Sequence, residues 1–108
     1  MTSKKEISEL TLRFQARCLT LFRKLFFDLQ ERDYSTEIRN RAFLLQKAVK
    51  AEDYPEAKSQ ADNIAYLFKL LHVSSYIQDS VYKSLAVDAA VLSATIEEAI
   101  NGDLEPEE

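Results

Sequence analysis

Only one glycine, Gly102, and two prolines, Pro55 and Pro106, occur in the 108 residues of this chain. Tight hairpins need residues that accept positive φ at their central positions, and short strands are usually punctuated by Gly and Pro. A chain without that turn chemistry is a poor source of β-hairpins or of alternating strands and helices. What remains is a set of helices joined by short polar connectors. All-α is therefore the expected class.

The apolar spacing agrees. Ile7, Leu10, Phe14, Cys18, Leu21, Leu25 and Leu29 recur at steps of three and four, one stripe of a helix that faces a core. Ser3 with Glu6 has capping-box spacing, so the first helix is expected over about 4–31. Ser35 is read as the cap of a second helix over about 36–51, with Ile38, Ala42, Leu45 and Val49 on one face. Asp53, Pro55 and Glu56 start a third over about 54–72, with Ala57, Ala61, Ile64, Leu67, Phe68 and Leu71 inward. Ser75 with Gln78 repeats the capping-box spacing and predicts a break near 72–75, although no Gly or Pro enforces it. A fourth helix over about 76–100 carries Ile77, Val81, Leu85, Leu92, Ile96 and Ala99 and stops at Asn101 and Gly102. Residues 103–108 are expected as a frayed acidic tail. Short connectors favour antiparallel neighbours, so the whole chain, 1–108, is read as one compact antiparallel four-helix bundle.

Hydrophobic residues make up 46% of the chain and charged ones 30%, a balance that supports one core. The net charge of −4 conceals an imbalance. Residues 1–50 hold 11 Lys and Arg against 6 Asp and Glu, whereas residues 51–108 hold 3 against 12. Either an anion-binding surface or attraction between halves of a bundle accounts for that layout. Cys18 is the single cysteine and sits in the apolar stripe, which favours a reducing, intracellular setting. The first nine residues hold no apolar signal region, and no apolar run approaches the ~20 residues that cross a bilayer. A soluble, cytoplasmic protein without a membrane partner is expected.

Two charges interrupt apolar arcs: Asp88 in the fourth helix, and Arg41 near Leu44, Leu45 and Ala48 in the second. Burying either alone would cost several kcal/mol, so they are expected to pair across the core and fix the register of the two helices. A second reading leaves both at the core edge, in reach of water, and a third has Asp88 line a ligand pocket.

One face of the first helix has no role in the main stripe. Leu12, Leu19 and Phe26 repeat every seven residues opposite it, with Ala16 and Phe27 beside them. Large apolar patches left exposed mark interaction sites, which makes Leu12, Leu19, Phe26 and Phe27 candidate partner-binding residues. The competing reading places this helix centrally, covered on both sides. Arg13, Arg17 and Lys24 share another stripe, and Arg39, Lys47 and Lys50 add positive charge; these are the candidates for tracking a phosphate backbone. Glu9 to Arg13 and Lys24 to Asp28 have the spacing of ordinary surface ion pairs, which weakens that stripe.

His72 is the only histidine, so neither a histidine-based metal cluster nor a Ser-His-Asp triad can be assembled within this chain. It is placed against the helix dipole at the end of the third helix. No phosphate-binding loop, dinucleotide fingerprint or cysteine pair occurs, so no metal or cofactor is expected and no enzymatic activity. The expected function is a non-enzymatic helical interaction module, an adaptor, inhibitor, immunity or assembly protein that docks on another protein or a second copy of itself. The alternative is a nucleic-acid-associated accessory protein using the basic residues of the first two helices.

Overall fold

The computed structural model describes residues 2–106 and contains four helices: α1 Lys4–Arg23, α2 Asp33–Lys50, α3 Tyr54–Val73 and α4 Asp79–Ile100. They run up, down, up and down in a bundle 47 × 22 × 18 Å. Each helix packs on its sequence neighbour, and α1 also meets α4. The expected antiparallel bundle is the fold. The break between α3 and α4 is real, so the two are not one rod.

The core is built from the predicted stripes. Ile7, Phe14, Cys18, Leu21 and Leu25 of the first segment meet Ile38, Ala42, Leu45 and Val49 of α2. On the other side lie Ala57, Ala61, Ile64, Phe68 and Leu71 of α3, with Leu85, Leu92 and Ile96 of α4. Phe14 and Phe68 meet edge to face at its centre, with ring centroids 6.0 Å apart. Burial of Cys18 pushes its thiol pKa up to about 12, because a thiolate there would be desolvated.

Helix ends follow local chemistry, in two cases not the one expected. Ser3 Oγ accepts from the Glu6 N–H at 3.0 Å, and Asp53 Oδ1 accepts from the Glu56 N–H, as the sequence predicts. Ser35 does not cap α2, which begins two residues earlier. The cap is Glu31: its carboxylate accepts from the N–H groups of Asp33, Tyr34 and Ser35 at 3.0, 3.0 and 2.7 Å. Ser35 Oγ instead donates back to the Glu31 carbonyl at 2.6 Å. Nor does Ser75 cap α4, which starts at Asp79 with Gln78 before it and no side-chain cap.

Ser75 belongs to the end of α3. It has φ 67°, its N–H bonds to the His72 carbonyl, and the next N–H, of Tyr76, bonds to Leu71. That is a Schellman closure, which satisfies the last carbonyls of a helix through one left-handed residue. Glu52 at φ 57° closes α2 in the same way, through bonds from Glu52 to Val49 and from Asp53 to Ala48. Gly102 at φ 86° does so for α4, and Gln30 at φ 53° carries the longer of the two bonds, Glu31 to Leu25, after α1. Three of the four left-handed positions are thus occupied by residues other than glycine.

The first helix does not continue regularly to residue 31. Its last turn, Lys24–Asp28, is π-helical, with the Leu29 N–H bonded to the Lys24 carbonyl. The wider turn changes the phase of the stripe: Leu25 stays buried, while Leu29, expected inward, is 43% exposed. Val81, also expected inward, lies at the surface. The acidic tail is not frayed over its first residues. Thr2 N–H bonds to the Asp103 carbonyl at 3.1 Å, Glu105 N–H bonds to the Thr2 carbonyl at 2.7 Å, and Leu104 packs against the core. Residues 107 and 108 of that tail lie outside the described residues.

Candidate functional site

The face of α1 that the main stripe does not use is open. Leu12 is 68% exposed and Leu19 51%, because α2 and α4 pack to either side of them and nothing covers the arc between. The reading in which other helices bury both sides of α1 does not hold. Phe27 is 66% exposed on the π-helical turn. Phe26 is half-buried, its ring 5.2 Å from that of Phe22 and 5.0 Å from that of Phe27.

Sequence reasoning missed the other wall. Phe43 of α2 is 57% exposed and faces α1 across a groove of about 470 Å³, lined by Leu12, Gln15, Ala16, Leu19, Arg39, Ala42, Phe43 and Gln46. A smaller groove of about 220 Å³ shares Leu12, Gln15 and Gln46 with it and extends towards Ser8, Val49 and Lys50. Together they form one apolar trough along the α1–α2 seam. Its floor is held by Gln15, whose Nε2 donates to the Ala42 carbonyl at 3.2 Å and lies 3.4 Å from Gln46 Oε1. Phe43 was detectable in the sequence as a large apolar residue off the buried face of the second helix. That its neighbour would be Leu19 was not.

No Asp or Glu lines the trough. Two cations at its rim lie on aromatic rings: the Arg39 guanidinium is 4.9 Å over Phe22 and the Lys47 ammonium 5.7 Å over Phe43. Arg32 is placed likewise over Phe26, at 4.9 Å. Such contacts hold a positive charge at the surface without neutralising it.

The basic candidates do not form one patch. Arg39 lines the trough and Lys47 stands on Phe43 beside it, whereas Arg13, Arg17 and Lys24 share the α1–α4 face, where Arg13 and Arg17 line one groove and Arg17 and Lys24 the next. Arg17 is already engaged, since its Nη1 lies 2.5 Å from Asp88 Oδ2 and 2.9 Å from Ser84 Oγ.

Arg41 and Asp88 do not pair with each other. Arg41 Nε lies 2.6 Å from Glu37 of the same helix, and its Nη1 donates to Gln60 of α3 at 3.3 Å. Asp88 takes Arg17 instead, and both members of each ion pair are partly exposed. The register argument fails because neither charge is deep enough to require a partner across the core. A polar link between helices is found instead on the α3–α4 seam, where Lys58 reaches Asp62 of its own helix and Ser93 and Glu97 of α4.

His72 lies in the last turn of α3, stacked on Tyr82 with centroids 4.4 Å apart, and its Nε2 is 3.2 Å from Asp79. Asp79 is held below the usual carboxylate range, first by the hydrogen bond from Lys83 and further by Lys83 and His72 charge. Among the described residues no group of three or more His, Cys, Asp or Glu is placed to hold a metal ion, and no helix is long and apolar enough to cross a membrane.

No protein-family model matches the chain, and no curated protein matches it in sequence. Among solved structures it is similar to a protein of unknown function from the S23 ribosomal protein family of Bacteroides thetaiotaomicron, with a TM-score of 0.86 and 19% identity. The likeness covers 91% of this chain and 97% of that one, so it spans the whole bundle and is a likeness of fold.

Proposed function

We propose that this chain is a non-enzymatic helical interaction module that docks on a protein partner through the α1–α2 trough. The observation that carries this reading is the trough itself: Leu12, Leu19 and Phe43 are each more than half exposed and gathered along one apolar groove. Leaving such area in water is unfavourable, by roughly 25 cal/mol for each Å² that a partner could cover. The buried, unreactive Cys18 suits work in a reducing, intracellular compartment. Replacing Leu19 and Phe43 by Ser tests the proposal: binding to the physiological partner is expected to be lost with helicity unchanged. Binding that survives both substitutions moves the contact elsewhere.

A second reading is favoured by one observation. Arg39 and Lys47 have no carboxylate partner among the described residues, and the solved structure of like fold is assigned to a ribosomal protein family. In that reading the same face meets nucleic acid. Salt separates the two, because contacts to phosphates weaken steeply as salt rises, whereas apolar docking changes little.

A further inference from the structure

We infer that the occupant of the trough is an acidic amphipathic helix of a partner protein; this rests on the docking reading above and names the partner's chemistry. The walls are two helices, whose backbone groups are internally bonded, so an extended peptide has no free edge to pair with. Leu12, Ala16 and Leu19 stand at i, i+4 and i+7 on one wall, with Ala42, Phe43 and Gln46 on the other. Such a seam accepts the apolar side chains of a third helix. From Ser8 to Leu19 the trough runs about 16 Å at 1.5 Å per residue, which matches about three turns of a docked helix.

The sign of the partner's flanks follows from the rim. Arg39, Lys47 and Lys50 border the trough and no carboxylate lines it, so acidic residues beside the apolar anchors are matched and basic ones repelled.

A second copy of this chain is a poor occupant. A two-fold contact through the trough would set its cations against the same cations. The α4 face offers little either, because each of its carboxylates has a partner within the chain: Asp79 with Lys83 and His72, Asp88 with Arg17, Glu97 with Lys58, and Glu98 with Thr2.

The test is selection on the full-length protein from a displayed library of 16-residue helices, with Leu or Phe at i, i+4 and i+7 and Glu, Gln or Lys randomised at the flanks. The expected winners carry Glu flanks, bind at least tenfold more tightly than their Lys-flanked counterparts, and lose at least tenfold on Leu19→Ser or Phe43→Ser. Arg39→Glu with Lys47→Glu should reverse the preference to Lys flanks. These residues are exposed, so the variants keep the fold, which circular dichroism verifies. Winners with neutral or basic flanks that still lose binding on Leu19→Ser overturn the inference and leave the docking surface standing. Concentration-dependent self-association abolished by Leu19→Ser, or a preference for single-stranded RNA over every helix, also overturns it and names the other occupant. Winners indifferent to both trough substitutions, or no winners at all, overturn the inference and the docking reading together.

Discussion

Removing the Glu31 carboxylate should be one of the costliest single changes at this protein's surface, although the residue looks like part of a polar connector. The side chain is 7% exposed and accepts three N–H groups from the first turn of α2. Hydrogen bonds to a charged acceptor contribute about 1.5–3 kcal/mol each when measured singly. The three do not add, because water solvates the freed N–H groups once the carboxylate is gone, and ordinary caps cost about 0.5–2 kcal/mol. Burial and the third bond place Glu31→Ala above that range, at about 2–3 kcal/mol. With an unfolding entropy of about 2.1 cal/mol/K per residue, the melting temperature falls by roughly 9–13 °C. Glu31→Gln keeps the shape and one good acceptor and should lose about half as much. The assay is urea and thermal unfolding followed by circular dichroism at 222 nm, with an unchanged m-value as the sign that the same cooperative unit unfolds. If Glu31→Ala stays within about 0.5 kcal/mol of the parent, the carboxylate is not what holds the start of α2, and the reasoning is wrong.

Ser75→Gly should stabilise the protein by up to about 1 kcal/mol, since a left-handed residue with a Cβ costs about 1–2 kcal/mol and glycine returns part of that as chain entropy. If Ser75 capped α4, the same substitution would destabilise, so urea midpoints decide between the two. Leu19→Ser and Phe43→Ser should change stability by no more than about 0.5 kcal/mol while abolishing partner binding; a cooperative loss of structure in either would place these side chains in the core. Arg17 and Asp88 should show a double-mutant coupling below about 1 kcal/mol, as partly exposed pairs do, and Arg41 with Asp88 none. Cys18 has its pKa raised in the folded protein, so stability is fully present below the ordinary thiol pKa and is lost as pH rises from 9.0 towards about 12. Cys18→Ala should flatten that alkaline decline, read from urea midpoints between pH 8 and 11; a slope unchanged from the parent would show that the thiol does not contribute to it.

Much of the fold was legible because helices are encoded over short distances in the chain. The stripe from Ile7 to Leu25, the caps at Ser3 and Asp53 and the stop at Asn101 and Gly102 all rest on residues within four positions of one another. The left-handed closures at Gln30, Glu52 and Ser75 escaped because glycine is their usual signal and none is present. The polar caps were misread where two local chemistries compete: Ser35 has the right side chain for a cap, but a nearby carboxylate with two oxygens reaches more N–H groups.

By itself, then, the sequence determined that the chain is helical, where most helices lie, which stripe each buries, and that one face of α1 carries apolar residues in excess. Tertiary structure alone decided that this face stays open and that Phe43 stands across from Leu19. It also decided that Arg17 rather than Arg41 meets Asp88, and that Thr2 ties down the residues after α4. Residues 17 and 88 meet only after two helices have been rotated and slid into one register, and packing of the whole core sets that rotation. Patterns within one helix report which side faces inward; they carry no information about which residue of another helix will stand opposite.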